Sequence, residues 1–460
     1  MERHGDALSV EEVIDRIGFG RFQRRLLLAC GITWAADAAE LLAIGFALPG
    51  IREEFGLDPR QAGYVAAAAF VGMLAGATFW GTVADRIGRR RGFQLTVLIF
   101  AVFGTASAFA PNAETLAALR LLAGFGLGGA LPLDFSLASE FLPRRDRGRR
   151  LVLLESFWAL GTLAIAITAY LLVPSYGWRP LLAVSGVAAL LVLWIRARVP
   201  ESPRYLVAAG REAEARAVLA RVARENRAHL PDGRLLAPPA PPKPGVRALF
   251  SASVRRATLV HWACWLLIGL AYYGLFVYLP TIFVERGFSF VRSYGYSVIL
   301  ALAQIPGYLT AAWLVERWGR RPTLAVFLAA SGVFTLLFAV VDSTLAVVAA
   351  ACLMSFFALG AWAALYAYTP ESYPTLLRTT GMGWASAMAR IAATVVTVFG
   401  ASIIAGSLTA ALAIFGSAFL AAALVAWTLG AETRGRSLDP PPVRAHRGGA
   451  VAVEPLPARP

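Results

Sequence analysis

The sequence predicts an all-α membrane protein with twelve transmembrane helices in two pseudo-symmetric six-helix bundles. Three observations predict it. Of 460 residues, 58% are hydrophobic and only 15% charged, where soluble domains carry about 25% charged residues, and the mean hydropathy is +0.62. Twelve apolar runs each approach the ~20 residues that a helix needs to cross a bilayer. Three motifs of the first half return at equivalent places in the second.

The runs fall at 26–49, 60–84, 92–110, 115–138, 150–173, 179–196, 257–280, 295–315, 323–341, 344–368, 381–405 and 408–429. A polar segment at 197–256 separates the sixth from the seventh, with a helix-like stretch near 211–227 and a Pro-rich linker at 238–244. The chain thus divides into an N-terminal segment 1–25, bundles at 26–196 and 257–429, the 197–256 linker, and a Pro- and Arg-rich tail at 430–460, whose composition predicts disorder.

With the N-terminus inside, inner segments hold about 36 of the 43 Lys and Arg, and outer loops about five. That asymmetry places both termini in the cytoplasm. The net charge of +15 then reads as a topology signal rather than a nucleic-acid footprint. Arg outnumbers Lys 42 to 1, a bias suited to a GC-rich bacterial genome and hence to a bacterial inner membrane. Cys30, Cys264 and Cys352 all lie in apolar runs without a CxxC, so neither a disulfide framework nor a metal cluster is expected. No phosphate loop or catalytic constellation stands out, and neither enzyme activity nor a cofactor is expected.

The loop between the second and third spans reads Gly81-x-x-x-Asp85-Arg86-x-Gly88-Arg89-Arg90, and its counterpart after the eighth reads Glu316-Arg317-x-Gly319-Arg320-Arg321. Glu140-x-x-Pro143-x-x-x-Arg147 ends the fourth span and Glu371-x-x-Pro374-x-x-x-Arg378 the tenth. Pro200-Glu201-Ser202-Pro203-Arg204 and Glu432-Thr433-Arg434-Gly435-Arg436 follow the sixth and twelfth. Physically, Gly81 permits close helix approach, Asp85 can face a helix N-terminus, and the arginines anchor at anionic headgroups. On these motifs the chain resembles the major facilitator superfamily over all but its tail. The resemblance implies alternating access by a monomer between two duplicated bundles.

Charged groups inside spans are costly and are functional candidates by default. The first span holds Asp37 and Glu40 on one helix face, the fourth Arg120 and Asp134, the fifth Glu155, the eleventh Arg390. Arg120 can reach either acid of the first span. Such an acid alternating between a cation and a proton would couple transport to protons, as in proton-coupled members of the superfamily; the other reading is a buried pair that fixes packing. Arg390, near mid-membrane, suits an anionic substrate because guanidinium binds carboxylate bidentately, unless an acid such as Asp134, Glu155 or Asp37 holds it permanently. Trp158, Tyr272, Tyr273 and Trp362 occur at comparable depth and could stack on a flat ring.

Local wording narrows the branch. Ala36-Asp37-x-x-Glu40, Arg120-Leu-Leu-x-Gly124-x-Gly126-x-Gly128-Gly129, Phe157-Trp158, Tyr272-Tyr273-Gly274 and Arg378-Thr379-Thr380 resemble the synaptic vesicle glycoprotein 2 family and its bacterial relatives, which include niacin transporters and aromatic-acid proton symporters. In the vesicle family the positions matching Trp158 and Trp362 line the central pocket. The resemblance implies import of a compact aromatic carboxylate, nicotinate the leading example. Arg390 would meet the carboxylate, Trp158, Trp362, Tyr272, Tyr273 and Glu155 the rest of the ligand, and Asp37, Glu40, Arg120 and Asp134 the protons. Sugar porters share the Pro200–Arg204 wording, but the Gln-rich stretch they carry in the seventh span is absent from Trp265–Tyr273. A proton-driven drug exporter and a non-transporting receptor with the same fold compete with the importer.

Overall fold

The structure is a computed structural model that describes residues 8–184, 186, 199–236 and 245–434, apart from the side chains of a few helical residues. Its spanning helices in the first half are α2 (Arg21–Phe55), α3 (Pro59–Ile87), α4 (Arg89–Ser107), α5 (Ala113–Phe141) and the pair α6 (Arg147–Glu155) and α7 (Phe157–Tyr176), preceded by a short α1 (Val10–Ile17). After α8 (Pro203–Ala208) and α9 (Glu212–Asn226) come α10 (Arg255–Phe276), the short α11 (Leu279–Glu285), α12 (Phe290–Arg317), α13 (Arg320–Val340), α14 (Thr344–Glu371), α15 (Thr375–Gly406) and α16 (Leu408–Leu429). Eight of the described helices are long and apolar enough to cross a membrane. Most of the sixth predicted span, the 238–244 linker and the tail beyond 434 lie outside the described residues.

Two spans differ from the sequence expectation. The fifth has an irregular turn between α6 and α7 at Ser156, whose backbone stays helical at φ −62° and ψ −21° and whose hydroxyl donates to the Leu153 carbonyl at 2.7 Å. The seventh ends at Phe276 rather than running to 280, because Pro280 opens the separate helix α11 and cannot supply a ladder N–H.

Close packing within the first bundle uses small residues. Between α3 and α5, a Cβ at Gly72 would strike the Leu121 carbonyl and one at Gly124 the Ala69 carbonyl. The duplication is visible in atomic detail at the entries to α4 and α13. Gly88 and Gly319 both adopt positive φ, 100° and 110°. Glu201 then accepts from the Arg90 backbone N–H at 3.1 Å, and Glu432 from those of Arg320 and Arg321 at 3.0 and 3.1 Å.

Residues 8–17, before the first span, are built into the fold. Ser9 and Glu12 form a capping box on α1, and Leu8–Ser9 pairs in parallel with Leu235–Leu236. Glu11 reaches Arg144, Arg147 and Arg204 at 2.8, 3.4 and 3.2 Å. The two bundles meet at the helix ends remote from these terminal segments. There the Tyr294 hydroxyl donates to the Phe46 carbonyl at 2.9 Å, and Cβ atoms at Gly45 and Gly63 would collide with the Val277 and Val398 carbonyls of the opposite bundle.

Candidate functional site

An aromatic cage joins the two bundles at mid-depth. Trp158 stands on the first turn of α7, just past the irregular turn at Ser156, and its indole N–H donates to the Tyr272 hydroxyl on α10 at 3.0 Å. Tyr272 and Tyr273 lie edge-on to Trp362 of α14, with ring centroids 5.8 and 6.4 Å away. Phe70 of α3 closes on Tyr273 at 5.1 Å. All four aromatics expected from the sequence are therefore brought together. Trp265 backs the cage 5.4 Å from Trp362 and 4.9 Å from Tyr366, its own N–H fixed by Thr369 Oγ1 at 2.9 Å.

Three polar groups in this region keep unused hydrogen-bonding or charge capacity among the described residues. The Trp362 indole N–H is buried and has no acceptor among the described residues. Glu155, the last residue of α6, is buried; it interacts with the Trp34 indole, and no cation pairs with it among the described residues. Arg390 donates to Ser386 of its own helix at 3.1 Å and forms no ion pair among the described residues. Tyr273 and Tyr366 both lie within electrostatic range of Arg390 and of Glu155, which places the cation and the acid at one cluster.

Of the two acids on the first span, Glu40 takes Arg120. Nη1 donates to Glu40 Oε1 at 2.6 Å and Nη2 to the Glu40 carbonyl at 3.0 Å, both side chains fully buried. A Cβ at Gly104 would crowd the same carboxylate. Asp37 and Asp134 are also buried.

The repeated loop motifs build a second layer of contacts. Arg320 grips Glu371 through two bonds of 2.8 and 3.0 Å, while the equivalent Arg89 and Glu140 stand 3.9 Å apart. Arg147 donates to the Leu142 carbonyl, and Arg378 to that of Pro370 at 3.0 Å. Arg86 is exposed, and its carbonyl accepts from the Tyr205 hydroxyl at 3.1 Å. Gly81 and Asp85 sit on α3, but their side chains lie outside the described residues. At the N-terminus of α4 the carboxylate is Glu201, and Glu432 is its twin at α13. In the sequence both stand out only as repeat markers; the pairing of each with a Gly-Arg-Arg turn is the signal that could have found them. Sequence reasoning also misses Tyr366, Tyr308 and Gln304, the last with a buried amide that has no partner among the described residues.

Residues 24–441 match the sugar (and other) transporter family. The chain belongs to that family, within the major facilitator superfamily. The niacin transporter NiaP of Acinetobacter baylyi is 40% identical over 430 residues, covering 93% of this chain and 98% of that protein. The synaptic vesicle 2-related protein of Bos taurus is 35% identical over 455 residues, covering 94% and 83%. The partially occluded inward open conformation of the xylose transporter XylE from E. coli has a TM-score of 0.74 at 18% identity, over 90% of this chain and 99% of that one. This family member is thus a multi-pass membrane transporter with twelve-helix architecture, and its cage lies between the two duplicated halves.

Proposed function

We propose that the protein imports a small aromatic carboxylate, nicotinate foremost, across the bacterial inner membrane by alternating access coupled to protons. The observation that carries this reading is the cage itself: four aromatic rings from both bundles surround a region where, among the described residues, Arg390 lacks a carboxylate and the Trp362 N–H lacks an acceptor. A flat ring fits between edge-on aromatics, and an anionic group satisfies the guanidinium. Glu155, protonated, can donate to a ring nitrogen. The 40% identity to a protein named a niacin transporter supports the same assignment.

In this reading Asp37 and the Glu40–Arg120 pair carry the coupling. A carboxylate that exchanges a guanidinium for a proton removes one buried charge imbalance as another forms, and Asp134 lies on the same helix as Arg120. The Trp362 N–H, without an acceptor among the described residues, is met as well by an amide carbonyl and favours a second reading, in which the ligand is an uncharged aromatic amide.

Thermal stabilisation of the purified protein separates the two. A ligand at about 100 times its dissociation constant adds roughly 2.7 kcal/mol. Stabilisation by nicotinate, lost in Arg390→Ala, supports the carboxylate reading. Stabilisation by nicotinamide alone, unchanged in Arg390→Ala, supports the amide. A response to sugars or hydrophobic cations alone contradicts both.

A further inference from the structure

A cavity of ≈ 840 Å³ opens on the first bundle at the face that carries the terminal segments, remote from the cage. Its described lining includes Arg25, Arg90, Arg91, Arg211 and Arg221 against only two acids, Glu201 and Glu214. The surplus of three positive charges is held on four separate elements: the start of α2, the start of α4, the turn before α9, and α9 itself. Arg91 is exposed and forms no ion pair among the described residues. Arg25 and Arg221 share Glu225 at 3.1 and 3.0 Å, so one carboxylate offsets two guanidinium groups.

The cavity continues into a second hollow of ≈ 290 Å³ through Arg25, Val199, Pro200 and Arg221, which line both. The continuation is apolar. Leu26, Leu28, Ala29 and Ile32 line it along the first turns of the membrane span in α2, and Leu28 and Ile32 are 54% and 36% exposed on the lipid-facing side. From Arg25 to Ile32 the helix rises about 10 Å at ~1.5 Å per residue, enough to pass from headgroup depth into hydrocarbon.

We propose that this composite site binds an anionic phospholipid, with the phosphate in the arginine cavity and an acyl chain in the α2 groove. A basic pocket at the headgroup level attracts anionic lipids, and the exposed apolar run directly beneath it distinguishes a lipid from a soluble phosphate. Because α9 and the α4 turn both line the cavity, an occupied site links the linker helix to the motif loop of the same bundle.

Native mass spectrometry of the full-length, detergent-purified protein with added phosphatidylglycerol or phosphatidylcholine tests this. Wild type is expected to retain phosphatidylglycerol in preference to phosphatidylcholine. Arg91→Gln/Arg221→Gln is expected to weaken phosphatidylglycerol binding at least about tenfold, two surface cations being lost, with phosphatidylcholine unaffected. Glu214→Gln, which frees Arg211 from a bidentate pair at 2.6 Å, is expected to tighten it. Equal binding of both lipids overturns the proposal, as does a failure of both variants to change it. Displacement of phosphatidylglycerol by millimolar inorganic phosphate also overturns it, in favour of a free-anion site.

Discussion

Arg120 and Glu40 are fully buried and 2.6 Å apart, so the cost of removing either depends on what remains. Arg120→Ala leaves a buried carboxylate without its cation, a change that costs about 3–5 kcal/mol. Replacing both by leucine is expected to recover most of that loss. Melting midpoints of Arg120→Leu, Glu40→Leu and the double leucine variant form the cycle that measures it; a double variant as unstable as the summed singles would show that the two side chains do not interact. In the cage, Trp158→Phe keeps the ring and deletes the bond to Tyr272. About 1 kcal/mol is expected, seen as roughly fivefold weaker ligand binding by calorimetry. The spacing of Asp37 and Glu40 showed that both acids share a face, but the register of α5 against α2, with Gly104 making room, decided which one meets Arg120. Tyr366 and Tyr308 carried no such signal. Thirteen tyrosines in an apolar chain look alike until the packing of α14 and α12 brings two of them to Glu155.

Helix α1 is docked through Glu11 and through Asn226, which donates to the Gly18 carbonyl at 3.1 Å and accepts from the Phe22 N–H at 3.0 Å. Burial pushes the Glu11 carboxyl up, but Arg204, Arg147 and Arg144 together outweigh it and hold it below the usual range of about 4.5. A depressed folded value means that the contribution is complete above about pH 4.5 and lost as pH falls through the lower folded value. Hydrogen exchange across 10–17 is therefore expected to be flat from pH 8 to 5.5, after correction for intrinsic rates, and to rise below that range. Glu11→Gln should raise it at neutral pH; an unchanged exchange rate would remove Glu11 from the docking. The same logic of helix ends applies to Glu432, which accepts from four backbone N–H groups, those of Arg320, Arg321, Thr433 and Arg434. Glu432→Leu is expected to cost about 0.5–2 kcal/mol in thermal unfolding. Most elements were legible: the helix expected near 211–227 is Glu212–Asn226. Helix α1 was not expected within the N-terminal segment, although Ser9-x-x-Glu12 spells a capping box. The irregular turn at Ser156 was hidden because Ser and Thr hydroxyls bond back within continuous helices too, as Thr33 and Thr162 do.

The two halves touch at the ends remote from the termini, where Gly45 and Gly63 admit carbonyls of the opposite bundle. Gly63→Trp is expected to hold that end open, so spin labels at Tyr176 and Arg292 should separate by several ångströms relative to wild type. No change in their distance would show that the contact is not needed for closure. The duplication that builds this architecture was plain in the sequence, since paired motifs recur at paired helix ends. Which end is closed was not, because under the proposed alternating access one sequence supports both arrangements with similar free energies. In the proposed function, Arg390 draws a carboxylate into a cage made by both halves. The most direct test of that role is proton-gradient-driven uptake of labelled nicotinate into proteoliposomes by wild type and Arg390→Ala. Loss of a charged hydrogen bond of about 1.5–3 kcal/mol predicts wild-type uptake that collapses with a protonophore and falls at least about tenfold in the variant. Nicotinate uptake by Arg390→Ala at the wild-type rate would remove Arg390 from carboxylate recognition.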